Sequence, residues 1–382
     1  MVSSTAGNAI TSMPNAQPNH ISLRVHYPVT SGRLALRTDT DWSDDIEACA
    51  LSADGQCAEF RLPLDRPFQY LKPALKLDTA LHWAQGKNYL LLAHGPLVRD
   101  IYPYFFDDGG CTVCELQSLT TADASTSYQY RVFTPPGYDE NTLKRYPVLY
   151  LQDGQNVFFP GASASGEDWR IQETLGVLND MNAIDKVIAV GIYPRDREQD
   201  YTKRGYHVYG SFAAKRLKAH IDAAFRTLEG PEYTAVMGAS LGGVASLYLT
   251  WQFPDVFGMA ACLSSTFGWR DDLKQRITTE ARRDIRIYLD SGWPQDNFEV
   301  TRDMVALLSG RGYAFGRDLL HFAFPGAHHS EAEWALRSHI PFQFLFGNHQ
   351  LTIRSPRQTS QGIRDADMHS EPQIIAERQL MR

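Results

Sequence analysis

Residues 233–252 read YTAVMGASLGGVASLYLTWQ. The apolar run from Tyr233 to Met237 predicts a buried strand, and the apolar stretch from Leu241 to Gln252 predicts a helix. Between them lies Gly238-Ala239-Ser240-Leu241-Gly242-Gly243. A serine at a tight strand-to-helix turn projects its Oγ above the end of a sheet. Such a turn strains the serine backbone and brings neighbouring chain close, so the positions two before and two after it must lack bulk. Gly238 and Gly242 meet that demand. The helix start behind the turn offers unpaired N–H groups to a developing oxyanion. The fold expected from this stretch is α/β, with a parallel sheet and an exposed nucleophile.

A serine hydroxyl needs a base, and the base needs an orienting acid. In this fold the chain order is Ser, then Asp or Glu, then His, each after a later strand. After the apolar run Ile285–Leu289 comes a loop running from Asp290 to Asn297, and after Leu320–Phe324 comes Pro325 to Glu331. His329 is the expected base, with His328 as its rival. Asp296 is the expected acid because it lies beyond the Gly292 turn, where the loop can reach back. Asp290 ends the strand and is expected to cap or brace it; Glu299 is the weaker alternative. The oxyanion donors expected are the backbone N–H of Leu241 and that of Gln155, which follows Asp153-Gly154 after the strand Val148–Leu151.

Outward from this core the chain divides into four parts. Residues 1–19 are rich in Ser, Thr, Asn and Pro and read as a flexible leader. Residues 20–118 read as an all-β module, most simply a small sandwich. Ile21, Leu23, Val25 and Tyr27 alternate with polar residues, and further short strands are expected at Leu34–Arg37, Glu59–Leu64, Phe68–Leu71 and Asn88–Ala93. Residues 119–347 alternate apolar runs with helical stretches, the clearest helix being Phe212–Leu228, which predicts an α/β domain with helices on both faces. Residues 348–382 read as a polar tail with a short amphipathic helix at Ile374–Leu380.

Composition narrows the function. The chain has 382 residues, of which 43% are hydrophobic and 12% aromatic, too many for a disordered protein. A net charge of −7 gives no electrostatic basis for nucleic acid or an anionic membrane. No run approaches the ~18 apolar residues that span a bilayer, and Met1–His20 lacks the pattern of a signal peptide, so a cytoplasmic protein is expected. The five cysteines include one Cys111-x-x-Cys114 pair without a second pair at zinc spacing. His207, His220 and His321 lie in strand or helix patterns and pair with no ligand set, so neither a metal nor any other cofactor is expected.

The stretches YPVLYLQDGQNVF, DREQDYT, GASLGG with FPDVFG, IYLDSGWPQDN and FPGAHHSEAEW occur in that order over residues 130–347. Together they resemble the esterase-D-like branch of the α/β-hydrolases, which includes enterochelin esterases, feruloyl esterases and mycolyltransferases. The resemblance implies Ser240 as nucleophile, His329 as base, an acid within Gly292–Asn297 and a small-molecule ester as substrate. The β module is similar to the immunoglobulin-like modules that precede enterochelin-esterase-type hydrolases. Asp153 stands where many α/β-hydrolases carry His, so the side chain's part in the oxyanion loop stays open. Asp153, Trp169, Tyr201 and Trp293 are the candidate substrate contacts, with Phe158, Phe159 and Trp269 as further aromatics near the motifs, most of these rings being expected as core or loop anchors. The alternatives are an acyltransferase using the same residues and a glycan-binding protein on an inactive hydrolase scaffold. Trp42 and Trp83 would be the rings for glycan. Instead, the module is expected to use the aromatic stretch Asp100–Phe106 to fix the two domains together and to wall one side of the cleft.

Overall fold

The computed structural model describes residues 20–349, apart from 64, 94, 108, 109 and 164. The leader over 1–19 and the helix expected at Ile374–Leu380 lie outside the described residues. The β module is a sandwich of two sheets. One holds His20–His26 between Cys57–Pro63 (antiparallel) and Val98–Ile101 (parallel), with Ala50–Leu51 at the edge. The other is built on Phe68–Lys76, flanked by Arg33–Thr38 on one side and by Leu81–Trp83 and Tyr89–Leu92 on the other; Asp41–Ile46 lies beyond Arg33–Thr38. The alternation of the first strand is realised as expected: Leu23 and Val25 pack with Phe60 and Leu62 against Leu36, Leu71 and Leu91 of the facing sheet.

The second sheet system is the core of the molecule. Its order is Thr112–Val113, Ser127–Thr134, Ile188–Tyr193, Val148–Leu151, Thr234–Ala239, Met259–Leu263, Arg286–Trp293, Leu319–Pro325, with Gln117–Thr120 also on Ser127–Thr134. Ser127–Thr134 runs antiparallel to its neighbour Ile188–Tyr193, and every strand from there onward is parallel. This is an α/β-hydrolase sheet with buried clusters on both faces. Residues 112–118, read as the end of the β module, already belong to it. Those two strands are short and edge-placed, and they carry no apolar pattern of their own.

Two elements differ from expectation for identifiable reasons. The helix expected over Phe212–Leu228 begins at Tyr206, passes through a π-helical segment Phe212–Leu217 and stops at Ala224. Residues beyond Phe225 instead run beside Tyr146, with the Leu228 N–H donating to the Tyr146 carbonyl at 2.8 Å. The strand expected to stop at Leu289 continues to Trp293, because Asp290 to Trp293 pair with Phe322 to Pro325. Among the described residues no helix is long and apolar enough to cross a membrane.

The β module is fastened to the α/β domain by backbone-level contacts. The Glu140 carboxylate accepts from the N–H groups of Phe105 (2.6 Å), Phe106 (2.9 Å) and Asp107 (2.7 Å) and from the Tyr27 hydroxyl (2.9 Å). Asn141 Nδ2 donates to the His26 and Pro103 carbonyls. The Tyr104 ring lies so close to Gly137 that a Cβ there would sit 2.6 Å from it, and Lys186 Nζ stands 3.9 Å from the same ring's centre. The stretch Asp100–Phe106 therefore fixes the domains together as expected. These anchors precede the strands Val148–Leu151 and Ile188–Tyr193, at the N-terminal end of the parallel sheet. The expected cleft wall is not formed by them, since Ser240, Asp296 and His329 all follow C-terminal strand ends.

Candidate active site

The strand Thr234–Ala239 ends at Ser240, whose backbone is held at φ 58°, ψ −122°. A non-glycine residue adopts that conformation only under constraint from its surroundings. Here the Ser240 N–H donates to the Leu263 carbonyl at 2.9 Å, and the helix Leu241–Gln252 starts at once. A Cβ on Gly238 would meet the Gly242 carbonyl carbon and oxygen at 2.4 Å, so the turn closes only with glycine there. Leu241–Trp251 is wholly buried, which locks the turn from behind. Among the described residues the Ser240 hydroxyl makes no hydrogen bond, and it is not bonded to the imidazole in this conformation.

Asp296 and His329 are brought into contact. His329 Nδ1 lies 2.7 Å from Asp296 Oδ1. The remaining capacity of the carboxylate is filled by the N–H groups of Asn297 (2.7 Å, Oδ1) and Gly292 (2.7 Å, Oδ2) and by the Ser264 hydroxyl on Oδ2. Burial alone would push this carboxyl up, but the bonds from His329, Ser264 and the two amides outweigh it and hold its pKa at about 2. An ionised Asp296 can only accept, so Nδ1 carries the hydrogen and Nε2 is left as the basic nitrogen. Gly292 makes room for this approach, since a Cβ there would sit 2.1 Å from the Ala327 carbonyl of the histidine loop.

Asp290 is differently employed. It pairs in the sheet with Leu263 and Phe322, level with the end of the nucleophile strand, and its side chain is fully buried. It accepts from Tyr288 (2.8 Å) and from Arg337 Nε (3.2 Å). Burial pushes its carboxyl up to about 6 against the pull of Arg337. Glu299 is exposed in the first turn of Phe298–Gly310. His328 is exposed, and its ring makes no hydrogen bond among the described residues.

The loop after Val148–Leu151 turns at Asp153, which is left-handed at φ 55°, into a single turn Gly154–Asn156. Among the described residues neither the Gln155 nor the Leu241 backbone N–H has an acceptor. The loop is tied down on both sides. Asn156 Nδ2 donates to Glu331 in the histidine loop at 3.1 Å, and the Asp153 N–H donates to the Tyr201 hydroxyl at 2.9 Å.

Three candidate substrate contacts are corrected by burial. Trp169 is 1% exposed and packs edge-on against Trp334, inside the core. Tyr201 is fully buried beneath Asp153. The Asp153 carboxylate is engaged by Arg197 through two bonds of 2.9 and 3.0 Å, and Arg197 Nη2 also reaches the Ala239 carbonyl at 3.3 Å. Through Arg197, Asp153 thus braces its own loop against the turn at Ser240. Phe158 is likewise in the core, while Trp293 (46% exposed), Trp269 (44%) and Phe159 (38%) remain at the surface. Sequence reasoning missed Arg197, Ser264 and Arg337. The motif DREQDYT contains the first of these, but its partner is 44 positions away.

The chain resembles two Bacillus subtilis (strain 168) proteins, YbbA at 22% identity over 167 residues and YjcH at 31% over 134. The matches cover 39% and 33% of this chain and 60% and 51% of those proteins, so the chain spans about half to three-fifths of these curated relatives. Among solved structures, a ferulic acid esterase superposes with a TM-score of 0.53 at 15% identity, covering 63% of this chain and 98% of that one. The enterobactin esterase of Shigella flexneri, solved in the presence of enterobactin, superposes with a TM-score of 0.52 at 12% identity, covering 85% of this chain and 92% of its own. Identities this low show a shared fold. The family described as "Putative esterase" matches residues 122–334, more than half of the chain, and to that family this protein belongs.

Proposed function

We propose that this protein is a serine carboxylic-ester hydrolase working through Ser240, His329 and Asp296. The observation that carries the reading is the His329–Asp296 bond of 2.7 Å, taken together with a serine strained at a strand-to-helix turn. Nε2 of His329, left unprotonated by the Nδ1 bond to Asp296, takes the Ser240 proton as Oγ adds to the ester carbonyl. The Leu241 and Gln155 N–H groups receive the oxyanion. The alcohol leaves with the proton from His329, and water then repeats the cycle on the acyl-enzyme. Trp269, exposed on the loop after Met259–Leu263, and Trp293, exposed at the end of the strand Arg286–Trp293, support an ester with an aromatic, sugar or siderophore-like part.

The test is Ser240→Ala with a short-chain aryl ester. Hydrolysis is expected to vanish with the fold intact, and a serine-directed phosphonate is expected to label the wild type alone. Turnover within tenfold of wild type would sink the assignment.

A further inference from the structure

Ser264 follows the last residue of Met259–Leu263 and is fully buried. Its backbone lies in the left-handed region at φ 44°, like those of Asp153 and Ser240. A hydroxyl has one hydrogen to give and two lone pairs to receive. Ser264 Oγ receives from Trp334 Nε1 at 2.9 Å and from Arg337 Nη2 at 2.7 Å. Both lone pairs are then occupied by groups that can only donate. The hydrogen is left with a single destination, Asp296 Oδ2, which lies in hydrogen-bond contact.

The pair Leu263-Ser264 gathers the elements of the site. Trp334 and Arg337 belong to the helix Glu331–Arg337, which begins two residues after His329, and the Trp334 ring stands edge-on to the His329 ring at 5.0 Å. The residue before Ser264 supplies the carbonyl that receives the Ser240 N–H. The Ser264 carbonyl in turn accepts from Asn297 Nδ2 at 2.7 Å, beside the acid. Acid loop and base helix therefore meet on Ser264, and the nucleophile turn on the residue before it.

We infer that Ser264 is a positioning residue of the site, its saturated hydroxyl aiming one hydrogen at Asp296 and tying that carboxylate to the helix behind His329. The inference rests on the triad reading above. The charged groups facing Asp296 are His329 from its loop, Arg337 from Glu331–Arg337 at 3.8 Å, and Asp290, with Tyr288 behind it, from the strand Arg286–Trp293. With the Ser264 donor gone, the carboxylate holds a proton more tightly, whether on itself or on the imidazole.

The experiment compares Ser264→Ala, Ser264→Gly and Ser240→Ala in the full chain, measuring kcat and KM for an aryl ester across pH, with Tm as the control for folding. Glycine adopts φ 44° without strain, so Ser264→Gly removes the hydroxyl while easing the backbone. Both Ser264 variants are expected to lose about 10- to 100-fold in kcat, as for one hydrogen bond to a charged group, with KM little changed. The acid limb of kcat/KM is expected to move to higher pH in both. If activity instead follows Tm, recovering in Ser264→Gly with an unmoved acid limb, the positioning role is overturned. Wild-type kcat in both Ser264 variants beside an inactive Ser240→Ala overturns the Ser264 assignment alone. An active Ser240→Ala takes the triad reading down with it.

Discussion

Asp290→Asn and Asp296→Asn exchange the same atoms within six residues of each other, yet opposite outcomes are expected. Asp296 is held at about 2, below its ordinary 3.8, so its ionised form is favoured by folding. Its contribution is in place above pH ~4 and fades as pH falls through 2, and at neutral pH it amounts to about 2 kcal/mol. Asp290 is pushed up to about 6, so folding favours its protonated form. It costs nothing below pH ~4 and its full cost, about 3 kcal/mol, is in place once pH has risen through 6. Asp290→Asn is therefore expected to be more stable than wild type at pH 7, with the gap closing by pH 4, and to retain turnover. Asp296→Asn is expected to be less stable at pH 7 by about 2 kcal/mol, and its kcat falls about 10⁴-fold because the imidazole loses the partner that fixes its tautomer. Urea unfolding at several pH values, with kcat on an aryl ester, reads both. If Asp290→Asn loses turnover as severely as Asp296→Asn, or is the less stable protein at pH 7, the division of labour between the two carboxylates is refuted.

His329→Ala is expected to reduce kcat by about 10⁴-fold or more, whereas His328→Ala, an exposed ring without a hydrogen bond among the described residues, changes it little; a reversal of the two would make His328 the base. Glu140→Gln places an amide against three backbone donors at the domain junction, so Tm is expected to drop, by several degrees, while kcat/KM on a small ester stays put. A parallel fall in kcat/KM would mean that the junction reaches the site after all.

The strand-to-helix turn at Ser240 was readable because its constraints are local: two glycines, one serine, and an apolar strand and helix on either side. The sandwich was readable from strict alternation at Ile21, Leu23 and Val25. What escaped depends on partners distant in the chain. Ser264 is an ordinary serine until Arg337, 73 positions away, donates to it, and Asp153 is a plain turn residue until Arg197 grips it. That most of the rings near the motifs are anchors was expected, but which of them, Trp169 and Tyr201 among them, was illegible for the same reason, since a ring near a motif in sequence can lie beneath the site rather than beside it. Asp290 and Asp296 were separable only in part. The Gly292 turn marked the second as the reaching residue, but the continued pairing of Asp290 to Trp293 with Phe322 to Pro325 needed the register of two parallel strands.

The junction built on Glu140, Asn141 and Tyr104 sits at the far pole of the sheet from Ser240, with the length of the strands between them. Variation at one pole is then insulated from the other. On the function proposed above, the sandwich is expected to tolerate recutting, charging or exchange without reshaping the mouth in which the ester is held, and the loops around Trp269 and Trp293 to tolerate change without loosening the sandwich. A chain arranged in this way offers two independent surfaces to selection, and to the protein engineer, for the cost of a single fold.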